Sequence, residues 1–249
     1  MTTKSNLHAL ILAGGLGKRM NSTLPKVLHK LLDKPMLVRV IETAKCLSPT
    51  NIYIVVGKYE PIIRETLTRY MSLDNIIFVK QMDAQGTGHA VQCALPEFAK
   101  LDRNDKVLIL SGDVPLLKED SMRSLITKDP VTLLTTKCDD PTGYGRIVTN
   151  SANQFIKIVE QKDCNDEQKN IQMINAGVYA FEVGLLCDHL PKLDNHNSQQ
   201  EYYLTDIFEI ILRDDQAAID AIELPKHKSV ELVGVNTKEQ LEELETKLK

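Results

Sequence analysis

The chain has 249 residues, 43% of them hydrophobic and 26% charged, with a formal net charge of -4 at pH 7. This is ordinary globular composition, long enough for one large α/β core, and it excludes a disordered chain. The mild acidic surplus argues against a nucleic-acid partner. The opening MTTKSNLHAL has no long apolar stretch and no run approaches the roughly 20 residues of a membrane span, so a cytoplasmic protein with no membrane partner is expected.

Short apolar, β-branched runs at His8–Leu12, Asn51–Val56, Ile76–Val79, Val107–Leu110 and Val131–Thr135 read as buried strands. Between them, Met36, Leu37, Val40, Ile41 and Ala44 recur at helical spacing in Pro35–Cys46, and Ile62, Ile63 and Leu67 in Pro61–Met71. Strands alternating with helices predict a mixed, mostly parallel sheet flanked by helices, a Rossmann-like α/β fold. After Pro130 the strand signals draw closer, with a hairpin expected through Asn150–Asn153 and a polar run at Lys162–Asn170. That texture predicts a small antiparallel lobe over the sheet. Thr237–Lys249 reads as an amphipathic helix. Thr237 and Gln240 are spaced as a capping box, and Leu241, Leu244 and Leu248 form one stripe that packs on its own domain or on a partner.

Five cysteines without a C-x-x-C pair read as reduced thiols, and six histidines without ligand spacing make a zinc site unexpected. The stretch after the first strand is more informative. Leu12 leads into Gly14, Gly15 and Gly17, and these precede Lys18, Arg19 and Lys26. In open α/β sheets ligands gather beyond the carboxyl ends of the strands, so bare N–H groups here form a nest for anionic oxygens, phosphate above all. The string lacks the P-loop spacing and is a poor dinucleotide fingerprint. The glycines alone fit a plain strand-to-helix turn with surface cations equally well.

The stretch LAGGLGKRMNSTLPKVLH resembles the signature of sugar nucleotidyltransferases, L-x-x-G-x-G-[TK]-R-M followed by L-P-K. Its L-P-K-V-L-H form is similar to the uridylyltransferase (pyrophosphorylase) domain of bacterial-type N-acetylglucosamine-1-phosphate uridylyltransferases. Further blocks follow in order along nearly the whole chain: QGTGHA (Gln85–Ala90), SGDVPLL (Ser111–Leu117), TGYGRIV (Thr142–Val148), IVEQKD (Ile158–Asp163), INAGVY (Ile174–Tyr179), EYYLTD (Glu201–Asp206) and VGVNT (Val233–Thr237). One such block is weak evidence; an ordered series is strong.

The resemblance implies a nucleotide-diphospho-sugar transferase fold in one domain over 1–249. About 1–130 would bind the nucleotide, about 131–236 the sugar, and 237–249 would form the final helix. The implied reaction is in-line attack of N-acetylglucosamine 1-phosphate on the α-phosphorus of UTP, dependent on Mg²⁺, with no protein nucleophile. By position in the motifs, Arg19 and Lys26 are the implied catalytic residues, while Lys18 falls at a variable position and is expected to be solvated. Leu12, Ala13, Gly14, Gly15, Gln81, Gly86 and Thr87 would bind the nucleotide, and Gly112, Gly145, Glu160, Asn175, Tyr203 and Thr205 the sugar. Asp113 and Asn236 would hold the metal, since a hard cation wants carboxylate and amide oxygens.

Ala84 and Gln85 stand where the family usually has Gln-Leu, and Ala176 where Thr is common, so base and hexosamine selectivity stay open. No hexapeptide repeat of a left-handed β-helix follows Asn236, so uridylyl transfer without acetyl transfer is expected, from a monomer or small homo-oligomer. The alternatives are another sugar-1-phosphate nucleotidyltransferase, using glucose 1-phosphate with UTP or dTTP, and a catalytically silent nucleotide-sugar-binding module.

Overall fold

The computed structural model describes residues 5–15 and 17–248. The first layer follows the alternation in the sequence: β1 (Leu7–Leu12), a two-residue hairpin of β2 (Lys30–Leu31) and β3 (Lys34–Pro35), α1 (Met36–Lys45), β4 (Asn51–Val56), α2 (Glu60–Thr68), β5 (Ile76–Lys80), α3 (Thr87–Gln92), α4 (Leu95–Phe98), β6 (Lys106–Ser111) and α5 (Glu119–Arg123). The second part holds β7 (Val131–Lys137), β8 (Arg146–Thr149), β9 (Phe155–Val159), α6 (Asp166–Lys169), β10 (Met173–Glu182), α7 (Val183–His189), α8 (Asp206–Asp214), β11 (Ile219–Leu224) and α9 (Lys238–Leu248).

Among the described residues the main sheet is nine-stranded, ordered β11-β7-β10-β6-β1-β4-β5, with β8 paired to β10 and β9 to β8. Along the ordered path every strand runs parallel except β10, which is antiparallel to both β6 and β7. The chain steps from β1 to β4 and β5 on one side, then crosses back to β6 on the other. The switch point therefore lies between β1 and β6, whose last residues, Leu12 and Ser111, are direct partners. The crevice beyond such a switch point is where open α/β sheets bind ligands.

Alternate strand residues feed two cores. Ala9, Ile11, Ile52 and Ile54 pack with Leu37, Ile41 and Ile63 from α1 and α2, while Leu10, Tyr53 and Val55 pack with Val91, Phe98 and Phe208 from α3, α4 and α8. Both faces of the sheet are covered, as a parallel sheet requires, and that explains the continuous apolar runs. All five stripe residues expected in α1 are buried, but in α2 only Ile63 and Leu67 are; Ile62 is 39% exposed.

β8 and β9 form the expected antiparallel pair, turning through Asn150–Asn153 with Asn153 at φ +58. The sheet itself runs on past residue 130, because β10 reaches back to pair with β6. β11 went unpredicted. Asp220 and Glu223 interrupt its apolar pattern, which an edge strand tolerates because one side faces solvent.

At the end of the chain the capping box is formed: the Gln240 amide donates to the Thr237 hydroxyl, and the Thr237 amide to Gln240 Oε1. Leu244 is buried with Leu31, Met36 and Val235, and Leu241 packs beside them, so this stripe covers its own domain while Leu248 stays 42% exposed. Lys249, the expected last residue of that helix, lies outside the described residues.

Candidate active site

Four segments far apart in sequence meet at the switch point. The ladder between β1 and its neighbours continues one residue past the strands: the Ala13 amide donates to Val55 O and the Gly112 amide to Leu12 O, each at 2.9 Å. This fixes the turns that carry Gly14 and Asp113 side by side. A short 3₁₀ turn at Lys26–Leu28 buries Val27 and Leu28, so Lys26 is presented from an anchored segment. Gly17, at φ +56, lets the glycine loop lie against it; a Cβ there would come within 2.6 Å of Lys26 Cβ. The fourth segment is tied on by the main chain, since the Val235 amide donates to Asp113 O at 2.9 Å. The Asn236 amide is in turn held by Gln240 Oε1 at 2.7 Å.

The result is a cluster of two cations and two oxygen donors. The Lys26 ammonium is paired with the Asp113 carboxylate and donates to Asn236 Oδ1 at 3.0 Å, and Arg19 Nη2 donates to the same oxygen at 3.1 Å. Arg19 is exposed, whereas Lys26 and Asp113 are largely enclosed.

Cavities open on either side of this cluster. On one side Leu12, Gly14, Gly15, Lys26, Gln81, Gly86, Thr87 and Asp113 line a space of about 300 Å³, together with Ala84, Ala90, Ser111 and Glu201. A neighbouring space shares Gly15, Lys26, Ala84 and Glu201 and adds Gly17, Arg19 and Asn236. On the other side Arg19, Gly143, Glu160, Gln161, Lys162 and Gln199 line about 480 Å³. Arg19 borders both sides, so the whole forms one cleft with the cations at its middle.

In the first cavity, the loop before α3 is strapped down by the segment around Tyr202. The Tyr202 amide donates to Gln85 O, and the Gly88 amide to Tyr202 O. Gly86 sits at φ +109, and a Cβ there would come within 2.5 Å of Tyr202 O, so only glycine fits. Thr87 spends its hydroxyl on the Leu204 amide at 3.1 Å. Ala13 contributes only a backbone position here; its methyl is buried in the core.

The other cavity is built differently. β10 breaks register with β7 between Asn175 and Tyr179, with Gly177 at φ +69 in the irregularity, and Asn175 there donates to Tyr179 Oη at 2.7 Å and accepts from the Gly177 amide. This bulge sets Asn175 against Gly145, where a Cβ would meet Ile158 at 3.0 Å and approach Glu160 Oε1. Thr205 donates its hydroxyl to Glu160 Oε1 at 3.0 Å. Burial holds the Glu160 carboxyl above the ordinary range, with the Asp163 charge pushing the same way and the Thr205 hydrogen bond opposing both. Tyr203 turns its hydroxyl to Asp163, and the Gln199 amide donates to it. Gly112 packs between the end of β1, the turn that carries Lys26 and α1, where a Cβ would meet Leu12 O, Val27 and Leu37. The Lys18 side chain lies outside the described part of the structure.

Several residues went unassigned by sequence reasoning. Arg146, fully buried, donates to Tyr144 O and to Gln161 Oε1, and Gln161 also accepts from the Gly143 amide, so one guanidinium braces the wall of the second cavity. Its position in TGYGR was the available signal. Glu201 lines the first cavity from within EYYLTD, and His89 from QGTGHA touches Gln81.

Residues 9–152 match the family model described as a MobA-like NTP transferase domain. The chain belongs to the MobA-like NTP transferase family. Within this NTP transferase family it is 38% identical over 247 residues to a probable UDP-N-acetylglucosamine pyrophosphorylase of Acanthamoeba polyphaga mimivirus, covering 96% of this chain and 95% of that one. It is also 44% identical over 246 residues to the bifunctional protein GlmU of Methylobacillus flagellatus, and 44% identical over 243 residues to that of Pseudomonas syringae pv. syringae. The chain spans about half the length of these GlmU proteins, 51% in both cases. A crystal structure of a putative glucose-1-phosphate thymidylyltransferase from Bacillus anthracis superimposes with a TM-score of 0.72 over 96% of this chain and 94% of the other, at 19% identity, which makes it a fold likeness.

Proposed function

We propose that this chain transfers uridylyl from UTP to N-acetylglucosamine 1-phosphate, giving UDP-N-acetylglucosamine and pyrophosphate. The observation that carries the reading is the cation cluster of Arg19 and Lys26 at the midpoint of a cleft with a cavity on each side. Two anionic substrates meeting head to head need that arrangement: positive charge where their phosphates converge, and separate rooms for base and sugar. The mimivirus relative, matched over nearly its full length, supports the same substrates.

An oxygen of the sugar 1-phosphate attacks the α-phosphorus of UTP, a new P–O bond forms, and the bond to the β-phosphate oxygen breaks as pyrophosphate leaves. The attacking oxygen already carries charge, so no protein base is required. Lys26 supplies a compact charge from an anchored turn, and Arg19, exposed at the mouth, reaches phosphate oxygens with its forked donors. Glu160, backed by Thr205, accepts from sugar hydroxyls on the far side of the cluster.

Asp113 and Asn236 fit a divalent cation, and Mg²⁺ is the ion proposed. They are hard oxygen donors held next to each other by the Val235–Asp113 backbone bond, and both already bond one cation, Lys26. Mg²⁺ takes only one or two protein carboxylate or amide ligands beside substrate phosphates, in keeping with a two-residue site. When bound it supplies Lewis-acid charge neutralisation at the phosphates.

The test is pyrophosphate release with Mg²⁺ and UTP against N-acetylglucosamine 1-phosphate, glucose 1-phosphate and no sugar, with dTTP as a second nucleotide. Release that is fastest with UTP and N-acetylglucosamine 1-phosphate is the expected result. Preference for another pair would reassign the substrates, and no release with any pair would sink the transfer reading.

A further inference from the structure

Gln81 follows directly on β5 and is almost fully buried, and its amide nitrogen has two neighbours: the Gly86 carbonyl at 3.2 Å and His89 Nδ1 at 3.2 Å. A carbonyl oxygen only accepts, so the nitrogen end of the Gln81 amide must face Gly86. The second amide hydrogen then points at His89, and this contact is favourable only if Nδ1 carries a lone pair. The ring proton therefore sits on Nε2, which lies 3.9 Å from the Cys93 sulfur, a thiol that burial pushes up and keeps neutral. With both hydrogens committed, Gln81 has only Oε1 to offer a ligand. That oxygen stands over Gly14, where an added Cβ would be 3.2 Å from it, and both residues line the nucleotide-side cavity. Among the described residues of that cavity wall, His89 does not occur.

We propose that His89 is a positioning residue for base recognition: it locks Gln81 as a pure hydrogen-bond acceptor toward the base, selecting a ring N–H such as the uracil imide over the bare N3 of cytosine. The inference rests on the uridine-nucleotide reading of this cavity. An acceptor facing the N3–H of uracil gains a hydrogen bond, whereas facing cytosine N3 it leaves two acceptors opposed and desolvated. Thymine carries the same imide, so His89 does nothing to separate dTTP from UTP.

Equilibrium titration of the full chain with UTP, CTP and dTTP in the presence of Mg²⁺, without sugar phosphate, tests this apart from turnover. The wild-type chain binds UTP and dTTP more tightly than CTP. His89→Phe, which removes the acceptor, weakens UTP about tenfold and brings UTP and CTP towards parity, and His89→Asn, which restores an acceptor near Nδ1, recovers most of the preference. In turnover, His89→Phe raises KM for UTP and leaves kcat nearly unchanged. Gly14→Ala approaches from the opposite side by placing a methyl against Oε1, and it weakens UTP with His89 intact. Wild-type UTP affinity and discrimination in His89→Phe, equal binding of UTP and CTP by the unmodified chain, or unaltered UTP affinity in Gly14→Ala would each overturn the inference. His89-dependent preference for UTP without pyrophosphate release from any sugar phosphate would uphold it while sinking the transfer reading.

Discussion

The corner proposed for the phosphates and the wall proposed for the sugar bound the same cleft but are made of different material. The corner is assembled on the ends of β1 and β6, two adjacent parallel strands in the middle of the sheet, and its backbone is fixed by bonds that continue the ladder. Of its charges Arg19 is exposed, while Lys26 and Asp113 are largely enclosed and paired with each other. The wall is assembled from a bulge in β10, a hairpin at the margin and side-chain clasps, and it holds a carboxyl, Glu160, that burial pushes up. A corner whose geometry comes from backbone should lose function, and little stability, when a side chain is cut. A wall whose geometry comes from side chains should show both losses together.

The largest effect expected is at Asp113. Asp113→Ala should reduce metal-dependent pyrophosphate release by about three orders of magnitude or more, and Lys26→Ala by about two to three. In both variants the thermal midpoint should move by no more than a few degrees, because Gly112 and Val235 keep their backbone bonds. A fall in rate matched by an equally large fall in stability would erase the contrast between corner and wall, and an unchanged rate would remove that residue from the proposed mechanism.

Glu160→Gln comes next. The amide keeps the shape but offers one acceptor instead of two, so KM for the sugar phosphate should rise about tenfold while KM for UTP holds. Because Thr205 donates to this carboxyl, a modest change in stability should accompany the kinetic one. A KM change confined to UTP would put Glu160 on the wrong side of the cleft.

The same contrast explains what could be read from the sequence. The central strands and α1 were legible because burial on both faces demands unbroken β-branched runs and a regular helical stripe. In α2 the helix was legible but not its orientation: Ile62 and Ile63 are adjacent, and composition could not tell which faces inward. At the corner the run of glycines and cations was legible as an anion nest or as a plain turn equally well, and the family resemblance decided between them and supplied Asp113 and Asn236. The wall was legible only as blocks resembling a family. That Gly145 is needed to clear Ile158, that Asn175 shapes its own bulge, and that Arg146 braces Gly143 through Gln161 are consequences of contacts between segments with no periodicity to announce them.

Stability against pH sharpens the comparison from the wall's side. Asp206, at the start of α8, is held up to about 6 from an ordinary 3.8, first by burial and then by the charges of Glu160, Asp194, Glu209 and Asp163. Folding therefore favours its protonated form. The stability this contributes is full below pH 3.8 and is lost as pH rises through about 6. Asp206→Asn should be the more stable protein at pH 7.5, by about 1–2 kcal/mol once solvent screening is allowed for, and equal to the parent near pH 4. Denaturant midpoints across that range decide it; a difference that stays constant with pH would detach Asp206 from the acidic wall.

The smallest effect is expected where corner and terminal helix join. Thr237 caps α9 through the Gln240 amide, and Gln240 Oε1 in return holds the amides of both Thr237 and Asn236. Thr237→Ala removes one cap acceptor and should cost about 1 kcal/mol. Asn236 keeps its own bond to Gln240 and its neighbour Val235 keeps its bond to Asp113, so the rate should fall only a few-fold. Gln240→Ala, by contrast, releases the Asn236 amide directly and should lower the rate more than Thr237→Ala at a similar cost in stability. Equal rates in the two variants would mean that the backbone bond from Val235 to Asp113 is sufficient to hold Asn236 in the cluster, and that the cap serves the helix alone.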